Sequence, residues 1–97
     1  MELEVGNWNI NYLYGKQKAR ELFNKIPKNE SEIILNFKWI LNVDWFFARE
    51  YLLLKEEFQK TISEIEMDNR VKETFDIIKN LDYHCSDEEF IQLFVSF

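Results

Sequence analysis

EIILNF, residues 32–37, is the stretch on which the fold turns. It is a short, dense apolar run containing two β-branched residues, and the polar segment PKNES (residues 27–31) precedes it. A run this short is a poor helix, and β-branched side chains suit a pleated strand. Apolar without a break from Ile33 to Leu35, it is expected to be a central strand buried on both faces, as in parallel sheets covered by helices.

Upstream, Ala19, Leu22, Phe23 and Ile26 fall at i, i+3, i+4 and i+7, one stripe of a helix that Pro27 stops. Before that, Met1, Leu3 and Val5 alternate, and Trp8, Ile10, Tyr12 and Tyr14 resume the alternation. Period two predicts strand with one face buried. Gly6-Asn7 fits either a tight hairpin turn or a bulge in one long strand. Gly15 ends the strand signal.

Downstream, Asp44 suits the N-cap of a second helix, whose stripe is Phe47, Tyr51, Leu54 and Phe58. ISEIEM (residues 62–67) alternates again, with Ile65 and Met67 opposed to Glu64 and Glu66. Asp68 or Asn69 caps a third helix bearing Val71, Phe75, Ile78 and Leu81. SDEE (residues 86–89) reads as a capping box opening a C-terminal amphipathic helix over 86–97, with Phe90, Leu93, Phe94 and Phe97 on one side. The order β(β)-α-β-α-β-α-α predicts a single α/β domain over residues 1–97. Its sheet is small, mixed and largely parallel, with three or four strands and about four helices. The residue pattern contains no internal repeat, low-complexity tract or linker.

Composition agrees with one compact core: 46% of residues are hydrophobic and 16% aromatic, with two glycines and one proline. Cys85 is the single cysteine, so an internal disulfide is excluded. MELEVGNWN has acids where a signal peptide carries bases, and WFFA and YLLL are far shorter than a membrane span. The expected setting is cytoplasmic, without membrane contact, in a bacterium or a phage. Residues 1–48 carry six Lys/Arg and six Asp/Glu, whereas residues 49–97 carry six and twelve, so the net charge of −6 lies in the second half. Such a half repels a phosphate backbone, and direct nucleic-acid binding is not expected.

Catalytic constellations are sparse. His84 and Cys85 are adjacent, and adjacent side chains seldom form a nucleophile–base pair; one His and one Cys supply no zinc ligand set either. Glu64 and Glu66 share the polar face of their expected strand, but no pocket signal accompanies them. Phosphate-cradling glycine loops and the nucleophile-elbow motif are missing. The expectation is a non-enzymatic protein without metal or cofactor.

The second helix has more large apolar residues than one stripe requires. Trp45 and Leu52 project opposite Phe47, and Phe46 and Leu53 project to the other flank. Either neighbouring helices cover them, the C-terminal segment above all, or the first turn is irregular, or they meet another protein, a second copy included.

SEIILNFKWILNVDWFFAREYLLLKEEF (residues 31–58), followed by ISEIEMDNRVKETFDIIKNL (residues 62–81), resembles the STAS and STAS-like domains, the fold of anti-sigma-factor antagonists. FARE (Phe47 to Glu50) matches the Phe-Ala-x-Glu portion of that pattern, and MDNRVKETFDIIKNL (residues 67–81) matches its later helix. The similarity spans about residues 8–81. It implies a regulatory module bound by a kinase-like protein partner, with a phosphorylatable serine at the helix start. Asp44, Trp45 and Phe46 stand there in this chain and carry no hydroxyl, so the phospho-switch is not implied. What is implied is a partner-facing edge at the helix start and the loop from Lys38 to Asp44.

The expected function is therefore stoichiometric binding of a partner protein, through Trp39, Asp44, Trp45, Phe46, Arg49 and Leu53. The alternative is an acidic inhibitor or immunity protein, meeting a basic cleft of a toxin or nucleic-acid enzyme through Asp82, Asp87, Glu88 and Glu89.

Overall fold

A computed structural model describes residues 1–95, the side chains of Phe94 and Val95 excepted. The elements run β1 (Glu2–Glu4), β2 (Tyr12–Leu13), α1 (Gly15–Asn24), β3 (Glu32–Asn36), β4 (Asn42–Val43), α2 (Trp45–Glu57), β5 (Thr61–Ile65), α3 (Asn69–Lys79) and α4 (Asp87–Val95). The α/β class and the four helices match the sequence reading. The short strand β4 is additional, and Phe97 of the expected C-terminal stripe lies outside the described residues.

Strands β1, β3 and β5 form a parallel sheet in that order, and β2 pairs with β4 in a separate two-stranded parallel ladder. Because each strand is added on the same side of its predecessor, right-handed crossovers carry both connecting helices to one face. There α1 packs along α2, and α2 along α3. Leu3, Ile33, Leu35 and Ile62 point into this layer and meet Ala19, Leu22, Phe23, Phe47, Tyr51, Val71, Phe75 and Ile78. Tyr51 is the hub, with Phe23, Phe37, Phe47 and Phe75 at ring-centroid distances of 5.4, 6.1, 6.0 and 5.1 Å.

Among the described residues no helix covers the opposite sheet face. Ile34 and Ile65 are each 37% exposed there, beside Glu2, Glu4, Thr61 and Ser63. The expectation that EIILNF is buried on both faces is thus corrected: two same-handed crossovers in strand order leave one face bare. The phase of β5 is corrected too. Glu64, not Ile65, points to the helices, where it accepts a 2.5 Å hydrogen bond from the Tyr51 hydroxyl and another at 2.8 Å from Lys55 Nζ. Glu66 lies beyond the strand with φ 55°, so the two carboxylates share no face.

Gly6-Asn7 is neither hairpin nor bulge. Asn7 and Ile10 close a tight turn, and the chain then leaves β1 to pair β2 with β4. A Cβ on Gly6 would lie 2.4 Å from both the Ile10 carbonyl oxygen and Ile40 Cδ1, so only glycine fits. The backbone also repeats where the residues do not. A strand, a turn, a short strand and a helix lead to α1 beginning at Gly15, and the same succession leads to α2 beginning at Trp45.

Candidate functional site

All three strands of the main sheet end on the same side of the molecule, and the loops after β1 and β3 meet there. The Leu41 N–H donates to the Asn11 carbonyl at 2.7 Å and ties the two loops together. The loops beyond the carboxyl termini of the strands thus form one end of the molecule.

Asp44 organises it. The carboxylate Oδ1 accepts from the Phe47 N–H at 2.8 Å, capping α2, and from the Gly15 N–H at 3.0 Å, at the start of α1. Tyr14, the residue before α1, offers no side-chain cap of its own. One carboxylate therefore answers two helix starts, whose free N–H groups favour negative charge. The capping role expected of Asp44 is present, and its second helix was not visible in the sequence. Asp68 and Ser86 cap α3 and α4 in the same manner.

Arg49, expected at the contact surface, is inside the protein, 7% exposed. Its Nε donates to the Tyr83 carbonyl at 3.1 Å, Nη2 to the Cys85 carbonyl, and Nη1 to Asp87 Oδ1 at 2.7 Å. The guanidinium also lies 5.0 Å from the Phe90 ring centroid. This fork holds the α3–α4 connection and the first turn of α4 against α2. Its partners lie more than thirty residues away in sequence, so no local pattern announces it.

Lys16 Nζ adds a 2.9 Å ion pair to Asp87. The Asp87 carboxyl is held below its ordinary value, first by the hydrogen bond from Lys16 and then by that from Arg49. A carboxyl lowered by folding stabilises the fold above its unfolded pKa of about 3.9 and loses that contribution as pH falls through the folded value. Because that carboxylate is largely in water, only a slight loosening of α4 docking is expected below about pH 4. Amide chemical shifts of α4 followed from pH 7 to pH 3 check this, and Asp87→Asn should flatten the transition.

The remaining expected contact residues divide. Trp45 is half-buried against the core, and Leu53 is half-buried on α2. Phe46 is 40% exposed, its ring 5.7 Å from that of Phe90, and Trp39 is 39% exposed with Lys38 Nζ above it. Phe46 forms a ridge between two open grooves. One, of 440 Å³, is lined by Asn42–Phe46 and Thr74; the other, of 320 Å³, lies between the starts of α1 and α4. In the acidic set all four residues, Asp82, Asp87, Glu88 and Glu89, are exposed, and Asp87 also pairs with Lys16 and Arg49.

Four residues expected to face the core instead enlarge this surface. Trp8 is 76% exposed and Tyr14 59%, with Ile10 and Tyr12 also outward; the Tyr12 and Tyr14 rings stack at 5.8 Å. A usable signal was present: Asn7, Asn9 and Asn11 alternate with these residues, and asparagine at such positions favours turns. Asn7 Oδ1 indeed accepts from the Asn9 and Ile10 N–H groups at 2.8 and 3.1 Å.

Elsewhere, the Tyr83 hydroxyl donates to Glu56 Oε1, and His84 Nε2 pairs with Glu56 Oε2 at 2.6 Å. Cys85 packs at the edge of the core. Among the described residues no group of three or more His, Cys, Asp or Glu side chains could hold a metal ion, and no helix is long and apolar enough to cross a membrane.

Fold and site together define a one-sided parallel α/β protein with an aromatic surface at the carboxyl ends of its strands. No family model, curated protein or solved structure matches the chain.

Proposed function

We propose that this chain is a non-enzymatic, cytoplasmic regulatory module that binds another protein stoichiometrically, in the manner of STAS-like anti-sigma-factor antagonists but without a phospho-switch. The observation that carries the reading is the gathering of Trp8, Ile10, Tyr12, Tyr14, Trp39 and Phe46, all substantially exposed, at one end of the molecule. Rigid aromatic side chains lose little conformational entropy on docking and are the usual anchors of protein interfaces. At the place where a STAS-like relative holds its serine, this chain has Asp44, whose charge is committed to two helix starts. Binding would therefore be constitutive and governed by competition between partners.

The test is affinity capture with tagged protein, identification of the captured partner, and titration of that purified partner against variants. Trp8→Ala and Trp39→Ala are expected to weaken binding about 30-fold each while leaving the circular dichroism spectrum unchanged. Reversing Glu88 and Glu89 to lysine should have little effect. Loss of binding on that charge reversal, with the tryptophan variants intact, would overturn this reading in favour of an acidic inhibitor.

A further inference from the structure

Three of the six Lys/Arg residues in the acidic half of the chain, residues 49–97, line one cleft: Lys55 on α2, and Lys72 and Lys79 on α3. Only two of the twelve acids of that half, Glu64 and Asp76, accompany them there. We infer that this cleft, between α2, β5 and α3, is a binding site for a small monocarboxylate with a short apolar tail. The inference is independent of the aromatic end proposed above.

Helix geometry gathers the charges. Lys72, Phe75, Asp76 and Lys79 stand at i, i+3, i+4 and i+7 of α3, so one stripe faces the cleft. Across from it β5 turns Glu64 inward, where the Tyr51 hydroxyl donates to it at 2.5 Å and Lys55 Nζ at 2.8 Å. Glu64 and Lys55 therefore neutralise one another. Among the described residues no side-chain ion pair engages Lys72, Asp76 or Lys79. Asp76 lies about one turn from each of the two lysines and can balance only one of them. One ammonium is left unmatched, and a ligand with a single negative charge makes the cleft neutral.

The rest of the lining sets the remainder of the ligand. Leu52 and Phe75 are buried and Met67 is half-buried, and together they give the cleft an apolar wall. An apolar wall with a few convergent polar groups is the usual make-up of a small-molecule site. The cavity measures 130 Å³. One of about 150 Å³ takes benzene, so a ligand of about six non-hydrogen atoms fits. Its carboxylate would accept charge-assisted hydrogen bonds from Lys72 and Lys79 while its alkyl part covers Met67 and Phe75. Inorganic phosphate lacks the apolar part, and an alcohol lacks the charge.

The chain has two methionines, Met1 and Met67, so methyl-labelled methionine gives one probe in the cleft and one reference outside it. Titration of the full chain with butanoate is expected to shift the Met67 methyl saturably, with Kd on the order of millimolar. Butanol and inorganic phosphate at the same concentrations should leave it in place. Lys72→Gln and Lys79→Gln, at exposed positions, should each weaken binding roughly fivefold. Asp76→Asn frees the second ammonium and should tighten binding by about the same factor. Glu89→Gln, an equal change of net charge on α4, should change nothing. A Met67 methyl that does not saturate by about 100 mM butanoate overturns the inference. So does an equal response to butanol or phosphate, or an affinity indifferent to Asp76→Asn.

Discussion

Arg49→Ala is expected to free α4 from the body of the protein and to lower stability by about 2–4 kcal/mol. The buried guanidinium makes charge-assisted hydrogen bonds to the Tyr83 and Cys85 carbonyls, and these account for most of the loss. The Asp87 arm adds little, because that carboxylate is largely in water. Arg49→Lys should recover only part of the effect, since one ammonium cannot span three acceptors in fixed directions. Urea unfolding gives the magnitude, and amide exchange in α4 shows where the loss falls. Full recovery by lysine would mean that charge, and not the fork, holds α4.

Tyr51→Ala removes the hub of the aromatic core and is expected to cost about 3–5 kcal/mol. A domain of this size has only about 5–15 kcal/mol in total, so this variant should be partly unfolded at 37 °C. Tyr51→Phe separates the ring from its hydroxyl. The four ring contacts survive, Glu64 keeps Lys55, and the expected loss is about 1 kcal/mol. Burial, and after it the charge of Glu64, pushes the phenol far above its ordinary pKa, so the hydroxyl remains a donor across the accessible pH range. Thermal melts of the two variants check the pair. Equal losses would assign the stabilisation to the hydrogen bond and not to packing.

What the residues disclosed and what they concealed have different physical origins. Ala19, Leu22, Phe23 and Ile26, like Val71, Phe75 and Ile78, are buried as their spacing predicts, because a helix on a sheet needs one stripe and these stripes are clean. The caps at Asp44, Asp68 and Ser86 were legible because capping is local chemistry. The exposure of Ile34 and Ile65 was not legible. It depends on the order in which strands join, a property of the whole chain, and a β-branched run reads alike with one helical layer or two. Glu64 misled through tertiary partners, Tyr51 and Lys55, that overrode its polarity. The exposure expected of Trp39 and Phe46 is present, the one in the loop after β3 and the other in the first turn of α2. The exposure of Trp8, Tyr12 and Tyr14 was missed because alternation was credited above the asparagines between them.

The strand order 1-3-5 has a further consequence, for how the chain acquires its structure during synthesis. Each strand of the main sheet pairs with the one that emerges next, and β1 never waits for β5. A growing chain can therefore set its sheet down in the order of translation, without reopening what has formed. Helix α4 comes last, and the Arg49 fork closes on it after the sheet and helix layer are in place. Such neighbour-to-neighbour pairing spares the chain a β1–β5 closure, while each parallel pair still closes a loop of about thirty residues, a slow kind of contact to form.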